Sequence, residues 1–406
     1  MAYWSDLWLR SVQTLDSRAL DLKNSRVKPF MKGFTRALGE GVRRVTIHDV
    51  AGKAGVSTAA VSHAFNDPER LRATTVTRIL DAARELGYAP NPHARALHSR
   101  RVGVLGVLFP QPIATVFANP FFASFLEGIG SVTDERGIGL LTVTPVGGSL
   151  ERAIAAAPVD GFVIIGLDER NPDVAPLRKR GVPFVVVDGD AETASSVNVD
   201  DEGGAHAAAE FLLERGHREV LVLTFHAPPD ELDKDLGVRG RRLRGYRRAF
   251  VERGLSLDDD AVVRTFVTLA GGDSAFAQAW ATGARPTAVL AASDIMAIGA
   301  MRAAKRLGLR VPGDLEVIGF DDIPLAAASD PALSTIHQPI TEKGRVATRL
   351  LIRELDEGGP RERIVLPTEL LLRDSTRAQP KKSRTLAIAK GGTEREGKLF
   401  KSAASR

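Results

Sequence analysis

The chain has 406 residues, 44% of them apolar, so it can bury large cores, and its length suggests two or three domains. It contains no cysteine, which excludes a disulfide framework and a thiolate metal site. It also lacks an apolar run of about 18 residues and the apolar core of a secretory signal. We therefore expect a cytoplasmic protein with no membrane partner.

Charge is distributed unevenly along the chain. Residues 1–101 carry 17 Lys and Arg against 9 Asp and Glu, whereas residues 102–379 carry 30 against 39. Residues 380–406 are basic again, with 8 against 2. A basic amino-terminal part on an acidic body is typical of a protein that contacts DNA through its amino terminus, because neutralised phosphates supply sequence-independent affinity.

Residues 1–44 precede the first recognisable motif. Several apolar residues in this segment, among them Trp4, Leu7, Trp8 and Val12, follow a helical period, so an amphipathic helix that touches a membrane or partner is one interpretation. The other is that translation begins further on, for example at Met31. We expect residues 1–44 to be a disordered extension or the product of a start site assigned too far upstream.

Residues 45–91 are predicted to form a helix-turn-helix domain. The first helix has apolar residues at the spacing of a single buried face: Ile47, Val50, Ala51 and Ala54. Thr46 with Asp49 three residues later resembles a capping box, and Gly55 allows a tight exit from the helix. Two short helices around such a turn place the second helix in the DNA groove.

The second helix carries most of the candidate DNA contacts. Ser57 can cap it, Val61, Ala64 and Phe65 share its inner face, and a third helix that ends at Gly87 completes a small core. Small and polar residues are left for the DNA side. The candidate DNA contacts of this domain are Thr46, Ser57, Thr58, Ala59, Ser62, His63 and Asn66.

From Val102 onward, short apolar segments alternate with segments of helical period. Strands that are apolar throughout and flanked by helices indicate parallel sheets covered on both faces. Two lobes of this kind form a cleft at the carboxyl ends of their strands, where ligands of open α/β sheets bind.

A series of motifs, in order and at compatible spacing, resembles the LacI/GalR family of bacterial transcriptional regulators over roughly residues 45–376. The motifs are Asn91-Pro-His-Ala-Arg-Ala-Leu97, Asn119-Pro-Phe-Phe122, Arg242-Leu-Arg-Gly-Tyr246, Ser293-Asp294 and Val317-Ile-Gly-Phe-Asp-Asp322. The resemblance implies an all-α helix-turn-helix headpiece joined to an α/β two-lobed type I periplasmic-binding-protein-like domain with parallel sheets. It further implies a hinge helix and linker at residues 92–101 and an effector-binding and dimerisation domain at residues 102–376. The composition of the end of the chain, rich in Lys, Arg, Gly and Ser, separately predicts a basic disordered tail at residues 377–406.

In the hinge, the resemblance assigns DNA contacts to Ala94 and Leu97, with Leu97 wedged into the minor groove. The alternative is that Leu97 only packs a linker. In the cleft, the family resemblance assigns effector contacts to Phe122, Arg242, Ser293 and Asp321. Each of these has an alternative: Arg242 as a solvated helix charge, Asp321 and Ser293 as helix caps, and Phe122 as a core residue.

We find no nucleophile elbow, Walker loop or zinc-protease motif, so no enzymatic activity, cofactor or metal is predicted. The sequence predicts a homodimeric, ligand-responsive transcription factor, a repressor that binds a near-palindromic double-stranded DNA operator. Its effector would be a sugar, a nucleoside or a related metabolite. The alternative is a sugar-binding protein without a transcriptional role.

Overall fold

The computed structural model describes residues 45–89, 101–226 and 237–377. Contacts between Cα atoms divide the chain into two compact units, with the boundary between Arg95 and Ala96. The predicted extension, the basic tail after Arg377, and the hinge residues Ala94 and Leu97 lie outside the described residues. Their assignments remain predictions.

The first unit contains the three predicted helices: α1 (Ile47–Ala54), α2 (Thr58–Asn66) and α3 (Ala73–Leu86). Val50, Val61 and Ile79, one from each helix, are fully buried and form the centre of their common core. Left-handed glycines end two of the helices, Gly55 with φ of 62° and Gly87 with φ of 66°. The helix-turn-helix prediction is confirmed.

The second unit has two lobes, each built on a six-stranded sheet. The first sheet is entirely parallel, with strand order β11-β5-β4-β3-β1-β2. Its strands are β1 (Val104–Leu108), β2 (Gly139–Val143), β3 (Gly161–Ile165), β4 (Phe184–Val187), β5 (Ser195–Val199) and β11 (Arg363–Leu366). Its helices are α4 (Ile113–Ala118), α5 (Pro120–Arg136), α6 (Leu150–Ala156), α7 (Ala175–Arg180) and α13 (Ile340–Glu357).

The second sheet has the order β12-β10-β9-β8-β6-β7 and is parallel except for β12. Its strands are β6 (Val220–Phe225), β7 (Val262–Thr265), β8 (Ala288–Ala291), β9 (Glu316–Asp321), β10 (Ser334–His337) and β12 (Glu369–Leu371). Its helices are α8 (Asp201–Glu214), α9 (Gly237–Glu252), α10 (Leu269–Ala281), α11 (Asp294–Arg306) and α12 (Pro324–Ala328). The prediction of two α/β lobes with parallel sheets is confirmed.

The chain passes between the lobes three times, at residues 199–201, 337–340 and 366–369. The crossing segments start at the carboxyl ends of β5, β10 and β11, so these strand ends face the opposite lobe. That is the place where open parallel sheets bind ligands. Among the described residues, no helix is both long and apolar enough to span a membrane.

Candidate DNA surface and effector cleft

The amino-terminal end of the headpiece is held by Thr46 and Asp49. The Asp49 carboxylate accepts hydrogen bonds from the Thr46 backbone N–H at 2.8 Å and from its hydroxyl at 2.7 Å. Thr46 is solvent exposed. The predicted local structure therefore exists, and it fixes the start of α1.

The helix predicted to enter DNA, α2, presents its candidate residues as expected. Ser57 caps α2 by accepting the Ala60 N–H at 3.2 Å. Ala59 and Asn66 are exposed, and Asn66 donates a hydrogen bond to the hydroxyl of Ser62 at 3.3 Å. Thr58, Ser62 and His63 are partly exposed. These side chains are available to a partner, and their roles in DNA binding remain proposals.

In the second unit, Arg242 on α9 is buried among acidic groups, with only 3% of its surface exposed. Its Nε donates to Asp201 at 2.9 Å, and Nη1 lies 3.3 Å from Asp321 and also donates to the Ala292 carbonyl. The guanidinium lies 3.5 Å from the centre of the Phe320 ring. Burial alone lowers the pKa of Arg242, but Asp201 and Asp321 outweigh it and raise the pKa. The alternative of a solvated helix charge is wrong.

Asp321 is the last residue of β9 and has φ of 122°, a conformation that L-residues rarely adopt. It accepts a hydrogen bond from Gln338 Nε2 at 2.6 Å. Burial raises the pKa of Asp321 to about 6, although Arg242, Gln338 and Lys343 oppose the rise. The N-cap of the following helix α12 is Ile323, so the capping alternative for Asp321 is wrong.

Ser293 is the N-cap residue of α11, yet its hydroxyl makes no capping hydrogen bond. Among the described residues, neither the buried Ser293 Oγ nor the buried Thr224 Oγ1 on β6 has a hydrogen-bond partner. These residues follow paired positions of two neighbouring strands, because Leu223 on β6 is in register with Ala291 on β8. Buried hydroxyls are normally hydrogen-bonded, so these two, close to the carboxyl ends of neighbouring strands, keep the capacity to bind a polar group.

Phe122 on α5 is partly buried and packs against the core. Its ring contacts Phe109 and Phe121 edge-to-face, with 5.3 Å between centroids in both cases. These contacts favour the core interpretation for one side of the ring. A contact of Phe122 with an effector remains a proposal.

The cleft holds further charged residues that were not predicted. Lys343 on α13 is fully buried, and its Nζ lies 2.7 Å from Asp188 and also donates to Gln338 Oε1. Asp188 and Lys343 are 155 residues apart in the chain, so no local pattern could have revealed the pair. Asp201, the ion-pair partner of Arg242, was not among the predicted effector contacts either.

Arg241 joins the two lobes directly. Its guanidinium lies 3.3 Å from Asp190 and 3.2 Å from Asn198 Oδ1, both in the first lobe, and 3.0 Å from Asp201 on α8. With the hydrogen bonds of Gln338, Asp321 and Lys343, a polar network therefore runs across the cleft.

Comparison with known proteins extends the similarity over most of the chain. The profile described as bacterial regulatory proteins, lacI family, matches residues 46–91. The profile of the periplasmic binding protein-like domain matches residues 209–376. The HTH-type transcriptional regulator CelR of Thermobifida fusca is 33% identical over 82% of this chain and 98% of its own length.

Two solved structures give the same result. A CelR–cellobiose complex has a TM-score of 0.61 at 31% identity and covers 82% of this chain and 100% of its own. A lac repressor dimer bound to operator and the anti-inducer ONPF has a TM-score of 0.69 at 27% identity, covering 83% and 100%. The similarity thus includes both the helix-turn-helix and the two-lobed unit.

Proposed function

Since this chain belongs to the lacI family of bacterial regulatory proteins, and is a helix-turn-helix transcriptional regulator, we propose that it represses genes as a homodimer on a near-palindromic operator. A small molecule in the cleft between the lobes controls it. Binding of that effector shifts the balance between DNA-binding and released states through its different affinity for the two. The protein acts in the cytoplasm, without a membrane partner and without turning the effector over.

The observation that carries the effector proposal is the pair of buried hydroxyls, Ser293 Oγ and Thr224 Oγ1, which have no partner among the described residues. Arg242 donates to the carbonyl of Ala292, next to Ser293, and lies 5.7 Å from the ring centre of Phe225, next to Thr224. Arg242 and Asp321 offer a donor fork and an acceptor, and hydroxyls can serve as either. A sugar or a nucleoside has the adjacent hydroxyls that suit this set. The cellobiose complex of CelR, a similar protein, supports a sugar.

The headpiece supports DNA binding over the alternative of a sugar-binding protein without a transcriptional role. Its α2 presents Thr58, Ala59, Ser62 and His63 on the side away from the core. Polar groups on such a helix bind base edges and phosphates, and an alanine offers an apolar contact to a thymine methyl. Two-fold symmetry of a dimer imposes two-fold symmetry on the operator.

The effector proposal is tested by thermal shift with cellobiose, ribose and a panel of nucleosides, followed by calorimetric titration of any compound that stabilises the protein. Ser293→Ala is the sharpest variant, because the hydroxyl has no partner to lose in the part of the chain that the structure describes. Loss of one neutral hydrogen bond should weaken binding by about two- to tenfold.

Arg247→Ala is the control, since Arg247 lies on the same helix as Arg242 but pairs with Asp259 at the surface. Equal affinity of wild type and Ser293→Ala for every bound sugar would remove Ser293 from the site. Chemical change of the bound compound on incubation would contradict the absence of turnover.

The DNA proposal is tested by selection from a pool of randomised duplexes with the full chain. The enriched sequences should be near-palindromic and bind two chains per site. Affinity should fall with salt at a log–log slope of about −0.9 per neutralised phosphate. A salt-independent affinity, or one chain per site, would contradict the proposed mode of binding.

A further inference from the structure

We propose that α5 and α13 form one rigid helix pair that transmits the state of the cleft, sensed by Lys343, to Arg101 beside the predicted hinge. The biological meaning of this route rests on the proposed function. The mechanical coupling itself is a property of the second unit, and it can be tested without DNA or effector.

The cleft end of the route is the hydrogen-bond chain through Gln338. Lys343, in the first lobe, donates to Gln338 Oε1, and Gln338 Nε2 donates to Asp321 of the second lobe at 2.6 Å. Gln338 lies in a crossing segment, between β10 and α13. Because its amide is held from both sides, a change in the angle between the lobes must break one of the two bonds or pull on α13.

Lys343 cannot replace the lost contact with water, since its side chain is fully buried and its ammonium lies 5.5 Å from the Phe121 ring centre. Its other partner is Asp188 at the end of β4. A buried charge that loses a partner is costly, so the position of Lys343 responds strongly to the arrangement of the cleft.

The helix pair is rigid because its backbones are in direct contact. A Cβ atom at Gly128 on α5 would lie 1.9 Å from the Thr341 carbonyl oxygen. A Cβ atom at Gly344 on α13 would lie 2.3 Å from the Phe125 carbonyl oxygen. Two glycines on opposite helices thus allow an approach that any side chain would prevent, and neither helix can slide without moving the other.

The far end of the pair binds the chain next to the predicted hinge. Asp356 on α13 lies 2.6 Å from Arg101, which also donates to the Leu355 carbonyl. Arg136, the last residue of α5, is 3.9 Å from the same carboxylate. Asp356 follows Lys343 by 13 residues, or ~20 Å along the helix axis. Both helices of the pair therefore reach from the cleft to Arg101.

The residues after Arg101 provide a direct readout. The backbone N–H groups of Val102 and Gly103 donate to the Asp160 carboxylate at 2.6 and 2.7 Å. Next to them is a cavity of about 250 Å³, whose lining includes Arg101, Arg136 and Asp356, so there is space for this segment to shift. Exchange of the Val102 and Gly103 amide protons with deuterium measures how firmly this segment is held.

The test is hydrogen–deuterium exchange on the full chain in the absence of DNA and added sugar. Lys343→Met removes the charge and replaces the side chain by an unbranched apolar one that is one heavy atom shorter. We expect exchange in residues 101–105 to rise by about two- to fivefold, the range that loss of an exposed ion pair such as Arg101–Asp356 permits. Arg345→Gln is the control, because Arg345 is on the same helix and pairs with Glu342 one turn away.

The coupling must also act in reverse, because linkage is reciprocal. Asp356→Asn should raise exchange in residues 335–341, around Gln338, by a similar factor. If Lys343→Met does not fold, the double variant Asp188→Asn with Lys343→Met removes both buried charges and should give the same rise at residues 101–105.

Changes confined to the neighbourhood of each substitution, in variants whose other segments exchange as in wild type, would overturn the proposal. An equal effect of Arg345→Gln at residues 101–105 would overturn it as well. Failure of the proposed function is a separate result, because it would be seen as absence of enriched duplexes in the DNA selection.

Discussion

Asp321→Asn should stabilise the protein at neutral pH although it removes a partner of Arg242. The reason is that burial opposes the charge of Asp321 more than its neighbours favour it, which raises its pKa from 3.8 to about 6. A carboxyl group with a raised pKa in the folded state contributes most to stability when it is protonated. That contribution is complete below about pH 3.8 and is lost as the pH rises through about 6.

The size of the effect follows from the change in pKa. A rise from 3.8 to about 6 corresponds to ~3 kcal/mol of folding free energy. Asparagine has the shape of the protonated carboxyl group and does not ionise. The variant should therefore match wild type near pH 4 and exceed its free energy of unfolding by up to ~3 kcal/mol at pH 7. Asp294 adds to the effect, because burial and then the charge of Asp321 raise its pKa.

The assay is urea unfolding followed by far-ultraviolet circular dichroism between pH 4 and pH 7. The measured quantity is the difference between variant and wild type, so that other titrating groups cancel. Asp322→Asn is the control, because Asp322 is the next residue but is paired with Arg373 at 2.6 Å and His337 at 2.9 Å. It should not stabilise the protein at pH 7. A difference for Asp321→Asn that does not vary with pH would refute the reasoning, because it would mean that burial and the Arg242 pair balance. A variant that becomes less stable than wild type as the pH rises to 7 would show that the Arg242 pair outweighs burial.

Three further outcomes are expected. Ser57→Ala removes the cap of α2, so it should lower the free energy of unfolding of the headpiece by ~1 kcal/mol and speed amide exchange in that helix. Unchanged exchange would contradict the role of the cap. Leu97→Ala should weaken specific DNA binding and reduce the DNA bend, while binding to random duplexes changes little. Equal losses of affinity for the operator and for random duplexes would mean that Leu97 only packs a linker. Glu316→Gln should lower the free energy of unfolding at pH 7 by ~3 kcal/mol, because the fully buried carboxylate is paired with Arg215 and Arg377. Burial alone raises the pKa of Glu316, but these arginines lower it below its ordinary range. The difference in unfolding free energy between variant and wild type should therefore shrink in acid. Urea unfolding that shows no such trend would contradict the pairing.

Local patterns in the sequence determined the helix-turn-helix headpiece and the alternation of strands and helices in the second unit. The period of Val50, Ala51 and Ala54, and the glycines that end α1 and α3, act within a few residues, so they can be recognised without a structure. The strands Gly161–Ile165 and Ala288–Ala291 are buried throughout, and such strands are recognisable in the sequence as short apolar segments. The motifs further placed Arg242, Ser293 and Asp321 at the cleft.

Only the tertiary structure decided which charges face one another there. Lys343 has the sequence context of an ordinary amphipathic helix, and its partner Asp188 comes from a strand end 155 residues away. That the Ser293 and Thr224 hydroxyls have no hydrogen-bond partner among the described residues is likewise visible only when the neighbouring strands are assembled. Helical period and strand composition reflect which face is buried, a local property. Ion pairs and unpaired buried hydroxyls depend on which distant segments the fold brings together, and no local pattern encodes that.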